Sequence, residues 1–239
     1  MSKVKGFFIT GTDTGVGKTV VTCALYAFLR QRGHSVTVFK PIETGCEKTL
    51  TGLRPNDASL FKELLSLEEE LDVINPVRFE QPLAPMVAAE IEGRAVDLGL
   101  IRATFNKVQA KHRFILVEGI GGIMVPITYN YFLYDLIREF QLPVIIVARN
   151  ALGMINHTLL TCDFAVRAGL KPAGIIINNP SDREPDIAQR TNANALRQVV
   201  PVPIICNLPY IEQLSYTSLL KAIKGIEDDI ISVCKGGNI

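Results

Sequence analysis

A glycine-rich loop near the N-terminus constrains this chain more than any other stretch. Residues 11–19 read GTDTGVGKT, between an apolar run at residues 6–10 and a second apolar run at residues 20–29. The first run is typical of a short buried strand and the second of a buried helix, which together form the context of a P-loop. In such a loop the backbone N–H groups and the N-terminal end of the helix face a phosphate group. The loop therefore predicts a site for a nucleoside triphosphate.

The loop departs from the usual pattern G-x-x-x-x-G-K-[ST] at one position. The first glycine of that pattern would be residue 12, which is Thr12, and the glycine stands one residue earlier at Gly11. The alternative interpretation is a glycine-rich turn before an ordinary helix, but Gly-Lys-Thr directly after a strand favours the P-loop. We expect Lys18 to reach the outer phosphates and the hydroxyl of Thr19 to bind Mg²⁺.

Length and composition narrow the class of protein. The chain has 239 residues, 48% of them hydrophobic, and a net charge of +1. The length suits one α/β domain over residues 1–239, and the charge argues against a nucleic-acid partner, which needs clustered Lys and Arg. No apolar run approaches the roughly 20 residues of a membrane span. Scattered cysteines indicate reduced thiols in a cytoplasmic protein, and they are Cys23, Cys46, Cys162, Cys206 and Cys234.

Strand and helix signals alternate along the chain. The further apolar runs predict strands at residues 35–39, 114–118, 143–148, 173–179 and 202–206. These runs are continuous rather than alternating, as is typical of a sheet covered on both faces. The connections between them have helical length. The predicted fold is therefore α/β, a doubly wound and mostly parallel sheet with a P-loop (the P-loop NTPase fold).

The connections carry more local predictions. Residues 43–56 are polar and glycine-rich, which predicts a long functional loop. Asn56 or Asp57 is expected to cap a following helix, and Gly119–Gly122 is expected to form a turn. Helices are predicted at residues 58–67, 86–91 and 97–110, and from about residue 155 or 156.

Polar side chains follow the predicted strands at their carboxyl ends, where ligands bind in such sheets. These residues are Lys18, Thr19, Lys40, Thr44, Asp57, Glu118 and Asn178. Two carboxylates and a hydroxyl suit Mg²⁺, and two lysines offset phosphate charge, so the set indicates phosphoryl transfer. Simpler roles stay open, because Asp57 is also a good N-cap residue and Asn178 and Asn179 are also common turn residues.

Four sequence blocks together resemble the dethiobiotin synthetases. They are residues 11–19, residues 40–45 (KPIETG), residues 117–122 (VEGIGG) and residues 152–157 (LGMINH). The resemblance extends from the first strand to about Tyr210. The first block is shared with a wider class of P-loop ATPases, and the combination with Lys40-Pro41 and Glu118-Gly119 is more specific.

The resemblance implies an ATP- and Mg²⁺-dependent ligase of biotin synthesis. It implies that 7,8-diaminononanoate and CO₂ (or bicarbonate) give a cyclic urea, with release of ADP and phosphate. One substrate amine takes up CO₂ as a carbamate, ATP phosphorylates the carbamate, and the second amine displaces phosphate. A homodimer acting on small molecules, without nucleic acid or membrane, is also implied.

The resemblance also implies residue roles. Lys18 and Lys40 would be catalytic, and Thr19, Asp57 and Glu118 would hold the metal. The residues implied to contact the nucleotide are Gly15, Val16, Gly17, Lys18, Thr19, Val20, Asp57, Glu118, Gly119, Gly121, Asn178, Asn179, Asn207, Leu208 and Pro209. Those implied to contact the substrate are Thr14, Lys40, Thr44, Gly153 and Asn156, the last two at a helix start that suits a carboxylate across a dimer interface.

Two positions differ from some members of the family. Gly15 and Asn207 stand where some of those proteins have an acidic residue. Any contact from an acidic side chain to the nucleotide is lost at these positions, which affects nucleotide recognition more than the chemical step.

Two alternatives stay open, one from a different class of protein and one that keeps the ligase class but changes the substrate. Partition- or septum-type ATPases share the end of the loop, but typically have lysine where this chain has Asp13 and an aspartate-rich turn where it has Lys40-Pro41. Many end in a membrane helix, whereas residues 219–233 mix both charges and indicate a packed helix. Amide-forming ligases usually carry a further glutaminase domain, for which 239 residues leave no room.

Overall fold

The computed structural model describes residues 5–224 and places a parallel sheet at the centre of the molecule. The strands are β1 (Lys5–Gly11), β2 (Val36–Phe39), β3 (Ile42–Glu43), β4 (Glu47–Thr49), β5 (Gly52–Arg54), β6 (Val77–Arg78), β7 (Phe114–Gly122), β8 (Pro126–Thr128), β9 (Tyr131–Phe132), β10 (Val144–Arg149), β11 (Pro172–Asn178) and β12 (Ile204–Leu208). The helices are α1 (Lys18–Gln31), α2 (Asn56–Leu64), α3 (Leu71–Ile74), α4 (Pro85–Ile91), α5 (Leu98–Lys111), α6 (Leu133–Phe140), α7 (Met154–Arg167), α8 (Ile187–Val199) and α9 (Tyr216–Ile223).

Six strands form the main sheet, in the order β12-β11-β10-β1-β7-β2. Every neighbouring pair is parallel. The strand before the P-loop, β1, is central, with Phe8 opposite Val144 of β10 and Lys5 opposite Phe114 of β7. The order reverses at β1, which is where open α/β sheets bind ligands.

Successive residues of each strand pack on opposite faces of the sheet, and both faces are covered. In β1, Phe8 belongs to one apolar cluster while Phe7 and Ile9 belong to the other. The first cluster includes Ile101 of α5, and the second includes Leu25 of α1. Burial on both sides explains the continuous apolar runs, and the prediction of a doubly wound parallel α/β fold is confirmed.

Three local predictions are wrong. Residues 43–56 are not one loop. They begin with Glu43 of β3, which pairs with β6, and they contain the antiparallel hairpin β4–β5. Asn56 and Asp57 lie in the first turn of α2, and the N-cap is Pro55. Residues 119–122 continue β7, because the glycines permit close packing: a Cβ at Gly119 would lie 3.0 Å from side-chain atoms of Leu133 and Phe8.

The C-terminal prediction is tested only in part. Helix α9 covers Tyr216–Ile223, and the rest of the predicted helix at 219–233 lies outside the described residues. Among residues 5–224, no helix is both long enough and apolar enough to cross a membrane.

Candidate active site

The P-loop connects the buried end of β1 to the start of α1. The N–H of Thr12 donates to the carbonyl of Val147 at 2.9 Å, which ties the loop to β10. Gly17 is the N-cap of α1 with φ 95°, in the left-handed region that favours glycine. A side chain at residue 17 would collide with the amide of Asn178, which itself donates to the carbonyl of Val16 at 3.0 Å. Residue 17 must therefore be glycine, because its backbone has a positive φ and because Asn178 leaves no space for a side chain.

Lys18 is almost fully buried although it carries an ammonium group. Its Nζ donates to the carbonyl of Asp13 at 3.1 Å, across the mouth of the loop. Burial and, to a lesser extent, the nearby charge of Lys40 lower the pKa of Lys18 to about 8. A cation held there is suited to an anionic ligand that would restore its charge balance.

A second lysine, Lys40, directly follows β2 and lies between the carboxylates of Asp57 on α2 and Glu118 in the middle of β7. Nζ of Lys40 is 2.9 Å from Oδ2 of Asp57 and 2.5 Å from Oε1 of Glu118, and it donates to the carbonyl of Gly119 at 3.3 Å. Lys40 and Glu118 are buried, and the Asp57 side chain is 37% exposed. The cluster is thus closed toward the core and open on the side of Asp57.

The hydroxyl of Thr19 completes this cluster. Its Oγ1 is 3.1 Å from Oδ1 of Asp57 and 3.1 Å from Oε1 of Glu118. Four elements converge here, since Thr19 lies in the first turn of α1, Asp57 in that of α2, Glu118 in β7 and Lys40 directly after β2. The structure thus brings together four of the seven residues that the sequence places at the carboxyl ends of the predicted strands.

The electrostatics of the cluster follow from these contacts. Burial disfavours the charged ammonium of Lys40, but the carboxylates of Glu118, Asp57 and Glu43 outweigh burial and hold the pKa of Lys40 above its ordinary value. Burial raises the pKa of Asp57, but the charge of Lys40 and hydrogen bonds from Lys40 and Thr19 outweigh it, so this pKa is lowered. Lys40 is therefore a charged ammonium and Asp57 an ionised carboxylate at neutral pH.

Sequence reasoning missed two residues of the cluster. The hydroxyl of Thr22 is fully buried and donates to Oε2 of Glu118 at 2.7 Å, whereas Lys40 and Thr19 contact the other carboxylate oxygen, Oε1. Glu43 accepts hydrogen bonds from the backbone N–H groups of Asp57 and Ala58 at 2.7 and 3.1 Å. Thr22 follows Thr19 by about one helical turn, which was a usable signal. Glu43 gave no signal, because its partners lie 14 and 15 residues away.

The amide residues at the ends of β11 and β12 form a connected network. Nδ2 of Asn179 donates to Oδ1 of Asn207 and to the carbonyl of Leu208, both at 2.7 Å. Asn150, which was not predicted, donates from Nδ2 to Oδ1 of Asn179 at 2.8 Å. Its backbone N–H donates to the carbonyl of Asn178 at 2.8 Å. Pro209 follows this network and is exposed.

Other predicted nucleotide residues lie around the loop. Gly15 is exposed with φ 71°, Val16 is buried, and Val20 is half-buried in the first turn of α1. Gly121, near the end of β7, has φ 56°, and a Cβ there would lie 2.6 Å from the side chain of Val125.

Among the predicted substrate residues, Lys40 belongs to the hydrogen-bonded cluster. Within residues 5–224, no hydrogen bond links the side chains of Thr14, Thr44 or Asn156 to Asp57 or Glu118. Gly153 is the N-cap of α7 with φ 92°, and Asn156 is exposed in the first turn of that helix. The prediction of a helix start near residues 155–156 is confirmed at Met154.

Comparisons with known proteins decide the family. A family model described as an AAA domain matches residues 5–218. The ATP-dependent dethiobiotin synthetase BioD of Thermodesulfovibrio yellowstonii is 42% identical over 217 residues, which are 88% of this chain and 90% of that protein. The protein of the same name from Bacillus subtilis is 39% identical over 92% of this chain and 94% of that protein. This chain belongs to the dethiobiotin synthetase family.

Solved structures share the fold of this dethiobiotin synthetase family member at low identity. A plasmid partition protein of Borrelia burgdorferi, bound to AMPPNP, has a TM-score of 0.58 at 12% identity, covering 97% of this chain and 99% of that one. The MinC:MinD cell division complex of Aquifex aeolicus has a TM-score of 0.56 at 13% identity, covering 98% and 95%. The partition- and septum-type proteins named above as an alternative therefore share the fold, while the sequence relatives are synthetases.

The donor set of this family member fits a magnesium ion. Oδ1 of Asp57 and Oε1 of Glu118 each lie 3.1 Å from Oγ1 of Thr19, so two carboxylates and a hydroxyl present oxygen atoms at one point. Mg²⁺ takes oxygen ligands and is commonly held by one or two carboxylates together with substrate phosphates. The chemistry of the residues thus agrees with the metal that the sequence predicts.

Proposed function

We propose that this chain is an ATP-dependent dethiobiotin synthetase. In this reaction 7,8-diaminononanoate and CO₂ form a cyclic urea while ATP is converted to ADP and phosphate. The observation that carries the proposal is the buried cluster of Lys40, Asp57, Glu118 and Thr19 beside the P-loop, in a chain 42% identical to a synthetase over most of its length.

The cluster supports distinct roles for its two lysines. Lys18 lies in the P-loop and would bind the outer phosphates of ATP. Lys40 is buried among oxygen atoms at the end of β2, and we assign to it the stabilisation of the carbamate and of the transferring phosphoryl group. Preorganised positive charge is the main contribution that a protein makes to phosphoryl transfer.

We further propose that Thr19, Asp57 and Glu118 hold Mg²⁺. A magnesium ion bound there would neutralise charge on the phosphate oxygens of ATP. The protein contributes the fixed oxygen atoms, and Thr22 orients Glu118 by occupying its second oxygen.

The remaining roles are proposals that rest on position. The nucleotide would also contact residues that lie at the ends of β11 and β12 or directly after them, with Asn178, Asn207, Leu208 and Pro209 at the adenine ring and Asn179 beside them. Thr14 and Thr44 would contact the substrate, and the helix start at Gly153 and Asn156 would bind its carboxylate. The substrate site would be shared between two chains of a homodimer. One domain over residues 1–239 and a cytoplasmic location complete the proposal.

The proposed activity is tested by measuring phosphate release from MgATP and bicarbonate, with and without 7,8-diaminononanoate. We expect release to require the diamine and the organic product to carry one added carbonyl carbon, as measured by mass. Phosphate release that is indifferent to the diamine would contradict the proposal, and would favour an ATPase of the partition type.

A further inference from the structure

The first turn of α2 is capped by a carboxylate from a distant part of the chain. A helix leaves its first N–H groups without partners inside the helix, and the N-cap residue here is Pro55, whose side chain accepts no hydrogen bond. Glu43 supplies the missing acceptors: its Oε1 accepts from the N–H of Asp57 and its Oε2 from the N–H of Ala58. Both oxygens of this side chain are therefore used at the start of α2.

Glu43 is held on a backbone that is itself fixed. The carbonyl of Glu43 accepts from the N–H of Phe79 at 2.9 Å, and the N–H of Lys40 donates to the carbonyl of Ile74 at 2.7 Å. The side chain of Asn75 donates to the carbonyl of Lys40 at 2.7 Å. The segment from Lys40 to Glu43 is thus anchored on both sides, and Glu43 transmits that position to α2.

This arrangement does more than a local cap would do. Ser, Thr, Asp or Asn at residue 55 would satisfy the helix end without contact to any other element. The Glu43 carboxylate is only 4% exposed. Burial and the charge of Asp57 outweigh the charge of Lys40 and the two N–H donors and hold the pKa of Glu43 above its ordinary value, so this cap is less favourable than an exposed one. What it adds is a fixed distance between the segment that carries Lys40 and the helix that carries Asp57.

We propose that Glu43 is a positioning residue of the active site. It holds the first turn of α2 so that the Asp57 carboxylate stays in contact with Thr19 and Lys40. The inference rests on the proposed magnesium site at Asp57, and it adds to that site a residue that touches none of the reacting groups. Residues that orient metal ligands in this way typically change metal affinity or activity 10- to 100-fold when they are replaced.

The experiment compares three variants, Glu43→Ala, Glu43→Gln and Asp57→Asn, by calorimetric titration of ADP into protein at a series of Mg²⁺ concentrations. We expect Glu43→Ala to raise the Mg²⁺ concentration needed for half-maximal enhancement of ADP binding by about 10-fold or more. Binding of ADP without Mg²⁺ should stay near the wild-type value. Glu43→Gln keeps one carbonyl acceptor, so its shift should be smaller than that of the alanine variant.

The matched control is Glu69→Gln. Glu69 is also a buried carboxylate, but it binds Thr37, Lys111 and His112 and has no contact with α2 through its carboxyl oxygens. We expect it to lower the unfolding temperature without moving the Mg²⁺ requirement. All titrations are made at a temperature where each variant is folded by circular dichroism, and if Glu43→Ala does not fold, Glu43→Gln against Glu69→Gln decides.

The Asp57 and Glu43 variants test the magnesium site and the positioning role of Glu43 separately. If Asp57→Asn leaves the Mg²⁺ requirement unchanged, the magnesium site itself is wrong. If Asp57→Asn raises the requirement while folded Glu43 variants match the wild type, the magnesium site stands and the role of Glu43 is refuted.

Discussion

At the scale of single residues, Lys40 is a charged side chain held among oxygen atoms of three other residues. Its ammonium is buried and contacts Asp57, Glu118 and the carbonyl of Gly119. The chain places a fixed positive charge among fixed oxygen atoms, and such preorganised charge is worth far more inside a protein than in water.

We expect Lys40→Ala to lower diamine-dependent phosphate release by roughly 100- to 1,000-fold, because it removes a preorganised charge from the reacting centre. Nucleotide binding should be largely retained, since Lys18 and the P-loop backbone remain. Lys48→Ala is the control, because that side chain is 75% exposed in the β4–β5 hairpin. Wild-type turnover in Lys40→Ala would remove Lys40 from the mechanism.

We expect Thr22→Val to lower the free energy of unfolding by about 1–3 kcal/mol, because it leaves an oxygen of the buried Glu118 carboxylate without its hydrogen bond. Thr22→Ser keeps the hydroxyl and should recover most of the loss. Urea denaturation measures both effects. Equal stability of the valine and serine variants would show that this hydroxyl does not support Glu118.

At the scale of secondary-structure elements, Glu69 joins parts that are distant in sequence. Its carboxylate contacts Thr37 of β2, Lys111 at the end of α5 and His112 just after that helix. Burial raises the pKa of Glu69, but the hydrogen bonds and charges of Lys111 and His112 outweigh burial and hold this pKa below its ordinary value. The ionised carboxylate therefore connects the edge strand of the sheet to α5.

We expect Glu69→Gln to lower the free energy of unfolding by about 2 kcal/mol at pH 7. A lowered carboxyl pKa stabilises the fold fully above the unfolded pKa of about 4.3, and this stabilisation is lost as pH falls through the lower folded pKa. The difference between wild type and variant should therefore shrink as pH falls below about 4. Chemical denaturation at pH 7, 5 and 3.5 measures it, and a difference independent of pH would contradict the ionic contact.

The elements show how far the sequence predicts the fold. The central strands and α1 follow from continuous apolar runs, and their bounds agree with the structure to within a few residues. Glu118, Lys40 and Asp57 were found because parallel strands bring their carboxyl ends to one edge. The cap from Glu43 and the link through Asn150 were not predictable, since they join residues distant in sequence and leave no local pattern. The same holds for the β4–β5 hairpin, whose strands have only three residues each.

At the scale of the whole molecule, exposed apolar side chains lie at and near the start of α7. Leu152, directly before the N-cap Gly153, is 88% exposed, and Leu160 on α7 is 61% exposed. Exposed apolar side chains beside a helix start that we assign to the substrate carboxylate are consistent with the proposed homodimer.

We expect the chain to sediment as a dimer at micromolar concentration, and Leu152→Asp to shift it toward the monomer because an interface disfavours a buried unpaired charge. Affinity for the diamine should fall while ADP binding is retained. Val199→Asp, which changes another exposed apolar residue on α8, is the control. A wild-type monomer with full activity would contradict a substrate site shared between chains.

The central position of β1 has a consequence for how the molecule is made. The strand that leads into the P-loop is synthesised long before the strands that flank it, which begin at Phe114 and Val144. At about 5–20 residues per second, the apolar segment Lys5–Gly11 waits roughly 10–30 s for both neighbours. Until then its apolar side chains, which are buried in the folded sheet, have no strand on either side. We therefore expect chaperones that bind apolar nascent segments to engage this chain at β1, the strand that leads into the P-loop.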